Sequence, residues 1–108
     1  MIHITRRWLL ITVTTSAMGS AQAADIAAGR ALAQVNCARC HAIGPDGESP
    51  FAGAPAFRTL HERYPVRSLE EALSEGIIVG HSAMPQIAFE PMEIADLVAY
   101  LESLEPAQ

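Results

Sequence analysis

The spacing of apolar and polar residues divides the chain into helical stretches joined by glycine- and proline-rich loops. Ile26, Gly29, Leu32, Ala33 and Val35 recur at helical spacing, with Asp25 before them as an N-cap. This predicts a helix from Asp25 that runs into Cys37. Gly29 costs such a helix stability relative to alanine, and it is explained by a second helix crossing close to it. From Ala42 to Ala56 the periodicity is lost. Gly44-Pro45-Asp46-Gly47, Ser49-Pro50 and Gly53-Ala54-Pro55 read as turns in one long loop. Phe57 to Arg63 reads as a short helix stopped by Tyr64-Pro65. In the next helix Ser68-x-x-Glu71 reads as a capping box. Leu69, Ala72 and Leu73 share a face, and Gly76 is the stop. Ile77 to Phe89 is irregular. The last helix starts near Glu90-Pro91. Ile94, Leu97, Val98, Leu101 and Leu104 form its apolar stripe, Tyr100 borders it, and Glu93, Asp96 and Glu102 face water. The class is all-α, with no repeat and no second domain.

The first 23 residues follow a different rule. His3, Arg6 and Arg7 make a basic start, Trp8 to Met18 is mostly apolar, and Ala21-Gln22-Ala23 is an A-x-A cleavage site. That is a secretory signal peptide, residues 1–23. The apolar run is short and interrupted for a membrane span. Arg6-Arg7 also resembles a twin-arginine export signal, but a general route that exports an unfolded chain fits the cysteine chemistry of the mature part better. The mature part, residues 24–108, is one small domain destined for the periplasm.

The chemistry is concentrated at Cys37-Ala38-Arg39-Cys40-His41, which holds both cysteines of the chain. C-x-x-C-H is the attachment signature of a c-type haem. Positions three apart lie on one side of a helical turn, so both sulfurs can reach one porphyrin edge as thioethers. His41 is then the proximal axial ligand to iron. Two other readings compete. A redox dithiol wants a βαβ context, and no strand precedes Cys37. A closed zinc site wants four ligands, usually from paired clusters.

The rest of the site is read around His41. The long loop wraps the proximal side, with Pro55 beside His41, where a backbone carbonyl would accept the imidazole N–H and fix the ring. The competing reading is a proline that only stiffens a turn. Met84 is the candidate distal ligand: its soft thioether lies in an irregular loop before Pro85, not on a helix stripe, and raises the potential relative to two nitrogen ligands. Met92 is its rival, in the first turn of the last helix. His81 is either an alternative ligand or propionate partner, or an exposed loop histidine.

Charge narrows the partners. The chain has no lysine, and Arg6 and Arg7 leave with the signal peptide, which takes the formal net charge from −5 to −7. Nucleic acid is excluded as a natural partner. A basic or neutral redox protein fits better, unless the acids serve solubility alone.

Taken together these pieces resemble class I cytochrome c, of the short bacterial periplasmic type. Gly29, the haem motif, Met84-Pro85, and Ile94 to Leu101 stand in the family's order over nearly all of residues 24–108. The resemblance implies a small cytochrome c fold, three to four helices packed around one covalently attached haem, with Leu97 and Tyr100 on the first helix. The chain departs from the pattern in three places. Ala33 stands where the family often has an aromatic. The span from His41 to Met84 is short, which implies a trimmed propionate-side loop and a more exposed haem edge. Trp8 lies in the signal peptide, so the mature part has no tryptophan for the haem propionate. Tyr64, Arg58, Arg67 and His61 are the substitutes to consider.

The expected function is a periplasmic one-electron carrier of the respiratory chain, not an enzyme, with donor and acceptor proteins as partners and no stable membrane insertion. An electron-transfer subunit of a periplasmic dehydrogenase or oxidase is the alternative. A gas-binding or peroxidatic haem protein is a third, and it needs an open sixth position at iron.

Overall fold

The computed structural model describes residues 13–19, 22–76 and 83–107. His81 and most of residues 1–23, expected above to be a signal peptide, Ala21 among them, lie outside the described residues. Those described comprise three α-helices, α1 (Ile26–Asn36), α2 (Leu69–Glu75) and α3 (Pro91–Ser103), and two 3-10 helices, Phe57–Glu62 and Val66–Ser68. There is no strand among them, and no helix long and apolar enough to cross a membrane. The fold is all-α.

The organising contact is α1 on α3. A Cβ built on Gly29 would stand 2.9 Å from Tyr100 Cβ and would overlap the Asp96 carbonyl. Glycine is therefore required by the approach of the two backbones, not by its own torsions. Ala33, one turn further on, is completely buried, so the position that often holds an aromatic makes a close crossing. Asp25 caps α1 by accepting from the Ala28 N–H at 3.1 Å. Its own N–H donates to Asp96 Oδ1 at 2.7 Å. Asp96 thus joins the two helices and does not simply face water. Val35 also departs from its expected place: it is 83% exposed. At about 100° per residue it lies some 200° from Ala33, on the opposite face.

The two remaining helix starts exchange roles. Ser68 makes no side-chain cap bond and sits in the helical region, because the 3-10 turn Val66–Ser68 already leads into α2. The capping box is at α3, where Glu90 accepts from the backbone of Glu93 and Glu93 accepts from the Glu90 N–H at 2.9 Å. Gly76 ends α2 in the left-handed region, φ 68°, which favours a residue without a Cβ.

A 3-10 helix turns every third residue, so Phe57 and Leu60 share a face, and both are buried. They join Val66, Leu69, Leu73 and the α3 stripe in one core, with Cys37, Ile43 and Tyr64 packed against it. Burying each of these large side chains stabilises the fold by about 1.5–3 kcal/mol. From outside, Arg67 pairs with Glu70 of α2 at 3.3 Å and with Glu102 of α3 at 3.1 Å.

Candidate functional site

The C-x-x-C-H segment is shaped by the end of α1. Cys37 is the C-cap, and its N–H donates to Ala33 O at 2.8 Å. Its own carbonyl then accepts from the N–H of Cys40 at 3.1 Å and of His41 at 2.9 Å. The chain therefore turns tightly around the Cys37 carbonyl, and both cysteines fall on that one turn. Both are free thiols and half-buried. Burial pushes the Cys37 thiol up to about 11. A catalytic dithiol needs a depressed pKa to supply thiolate, so the redox-dithiol reading loses support. Among the described residues there is no group of three or more His, Cys, Asp or Glu that could hold a metal ion.

His41 is buried, and its ring lies 5.0 Å from the Phe57 ring at 42°. Its Nδ1 is 2.8 Å from Pro55 O. A carbonyl only accepts, so Nδ1 carries the proton and Nε2 the lone pair. This is the arrangement of a histidine prepared for a metal: one nitrogen fixed by a carbonyl, the other a donor. The structure thus brings together Cys37, Cys40, His41 and Pro55.

The loop that delivers Pro55 is pinned in stages. The Ala42 N–H donates to Ser49 Oγ at 3.0 Å. The Phe51 N–H donates to Cys40 O at 3.1 Å, and the Phe57 N–H to Ala42 O at 2.9 Å. Tyr100 OH reaches over from α3 to Ile43 O at 2.6 Å. Phe57, Ser49 and Tyr100 are supporting residues that the sequence did not reveal. The aromatic two places after Pro55 was the available signal for the first. Beneath the loop lies a cavity of about 340 Å³, walled by Gly47, Glu48, Ser49, three alanines and Arg58.

Met84 sits half-buried at a bend, ahead of residues 85–90, which form no regular structure. Met92 is 50% exposed at the start of α3. Of the four substitutes for tryptophan, Arg67 is committed to its two glutamates. Burial raises the Tyr64 phenol above its usual 10.0, against a smaller lowering by Arg63. Arg58 Nη1 and His61 Nδ1 are buried without a hydrogen-bond partner.

Two thiols on one turn, an imidazole with its proton fixed on Nδ1 and two unpaired interior nitrogens, of Arg58 and His61, make a set that fits a c-type haem. Comparison with known proteins points the same way. The profile of the family described as Cytochrome c matches residues 26–105. A cytochrome c-552 of Bradyrhizobium diazoefficiens is 32% identical over 97 residues, which cover 90% of this chain and 91% of the relative. A cytochrome c6 of a Picosynechococcus species is 36% identical over 100 residues, 86% of each chain. A cytochrome c-553-like protein of a Synechocystis species is 36% identical over 80 residues, 74% of this chain and 70% of the relative. No solved structure matches significantly.

Proposed function

The chain belongs to the cytochrome c family, and on that premise we propose that it is a periplasmic one-electron carrier whose haem c is ligated by His41 and Met84. The family binds haem c covalently, and Cys37 and Cys40 are the two thiols with the required spacing. When bound, this group supplies a one-electron couple at iron. The protein's residues set the conditions for it. The Pro55 carbonyl holds the His41 N–H at 2.8 Å, so Nε2 is oriented and made a stronger donor. The Met84 thioether would be the second ligand, and a soft ligand favours the reduced state relative to a second nitrogen. With two side-chain ligands on iron, no place would be left for a substrate. Phe57, Leu60 and the α3 stripe surround the site with apolar surface, which limits water and tunes the potential.

The observation that carries this reading is the His41–Pro55 contact. A histidine held by a backbone carbonyl is set up as a metal ligand, and directly after a C-x-x-C thiol pair it stands in the place of the haem ligand; a redox dithiol has no comparable use for it. Residues 1–23 are read as a signal peptide, cleaved after Ala23, which delivers the chain to the periplasm.

The optical spectrum of the purified ferric holoprotein tests the proposal. Low-spin haem together with the weak far-red charge-transfer band of methionine sulfur on iron is the expected result. A high-spin spectrum, or loss of that band, removes Met84 as ligand and brings forward gas-binding or peroxidatic chemistry. Elution on gel filtration of the native extract separates a free carrier from a subunit that travels with a dehydrogenase or oxidase.

A further inference from the structure

The 3-10 helix Phe57–Glu62 has one feature that neither the core nor the axial ligands use. Its buried face is Phe57 and Leu60. With three residues per turn, Arg58 and His61 are also stacked, one above the other, on the adjoining face. Arg58 Nη1 and His61 Nδ1 are both closed off from solvent, and neither meets an acceptor. Buried polar groups are almost always paired, and an exception asks for a group that completes it. Here two exceptions share one face of one short helix.

The same helix stands directly beside the proximal histidine, with Phe57 5.0 Å from the His41 ring. The Arg58–His61 face adjoins the Phe57 face on that short helix. A c-type haem carries two propionates, which are carboxylates and acceptors only. We propose that Arg58 and His61 together hold a haem propionate, in the place of the tryptophan that residues 24–108 lack. This rests on the assignment of haem to Cys37 and Cys40, and it goes beyond that assignment by naming the residues that meet the acidic edge.

The chemistry favours this pair. A guanidinium offers forked donors that match a carboxylate, and it keeps its charge at any working pH. The imidazole adds a second N–H from the next turn of the same helix. Arg67 is taken by Glu70 and Glu102 and is largely exposed. Glu48 shares the cavity wall with Arg58 but forms no ion pair with it; among the described residues the ion pairs are those of Arg67. The interior therefore provides Arg58 with no carboxylate of its own.

The test uses the holoprotein and its variants Arg58→Ala, Arg58→Lys and His61→Asn. Two readouts are recorded on each: the propionate bending band in the resonance Raman spectrum, and the midpoint potential. Arg58→Ala leaves a propionate charge uncompensated, which favours ferric iron. The expected results are a shifted band and a lower potential. Arg58→Lys recovers the potential in part, because the charge returns without the fork, and His61→Asn shifts the band. Variants that melt earlier but keep the parent band and potential show a structural role only and overturn the proposal. If Arg58→Ala fails to fold, the other two variants decide. The far-red methionine band, read on the same samples, keeps the two ideas apart. Its absence from the parent protein defeats the His/Met assignment, whereas its presence beside an unmoved propionate band defeats this one.

Discussion

At the scale of single residues, what matters is which atom of each side chain is already engaged. His41 Nδ1 is engaged by Pro55 O, so in the proposed site Nε2 would be the coordinating nitrogen. Opposite it, Met84→Ala is expected to open iron to added imidazole or azide and to lower the midpoint potential; titration followed by absorbance and voltammetry checks both. Unchanged ligand binding and potential would show that Met84 is not bound. Tyr64 gives a pH prediction. Burial raises its phenol above 10.0, so above that pH the folded protein binds more protons there than the unfolded chain, and stability falls as pH rises. Denaturant melts from pH 9 to about 11.5 should show a loss in the parent that is smaller in Tyr64→Phe. The haem motif was legible because rare residue types at fixed spacing carry their own chemistry, and the Pro55 carbonyl does lie against His41 Nδ1, where the loop reading put a carbonyl. Phe57 against His41 was not legible, since an aromatic in a short apolar run signals burial without saying against what.

At the scale of elements, one crossing fixes the rest. Gly29 lies against the Asp96 carbonyl and Tyr100 Cβ, and both obstacles belong to a helix backbone or its first side-chain atom, which cannot turn aside. Gly29→Ala should therefore destabilise the holoprotein by about 1–3 kcal/mol, despite alanine's better helix propensity, and thermal melts would show it. A rise in stability would mean that the helices separate without penalty. The crossing was readable from one glycine in an apolar stripe. The caps were less so. Ser68-x-x-Glu71 has the letters of a capping box, but Val66–Ser68 is already helical, and an N-cap needs extended backbone. At α3 the cap is Glu90, φ −70°, ψ 153°, an uncommon residue for the role. Periodicity places the helices, but it does not tell which backbone torsions precede them. Nor did it separate Val35 from the buried face, since a list of apolar positions ignores their angle around the axis.

At the scale of the whole molecule, the core is too small to be indifferent to its cofactor. Domains of this size have little interior to draw on, and both cysteines are free for haem attachment instead of a disulfide. The variant Cys37→Ala/Cys40→Ala, made without haem, is expected to lose most of its helical signal in far-ultraviolet circular dichroism. Native helicity in that variant would show that the polypeptide folds unaided. The tie between Asp25 and Asp96 spans 71 positions, and its consequence is one of timing. A chain that emerges from its N-terminus has α1 in hand long before α3. An isolated helix of 11 residues is marginal in water. In a chain threaded unfolded through an export route, the Cys37–His41 segment is therefore expected to stay an open strand of thiols and imidazole until α3 has followed it and docked. The late arrival of one helix keeps the loading door open, and its docking closes it.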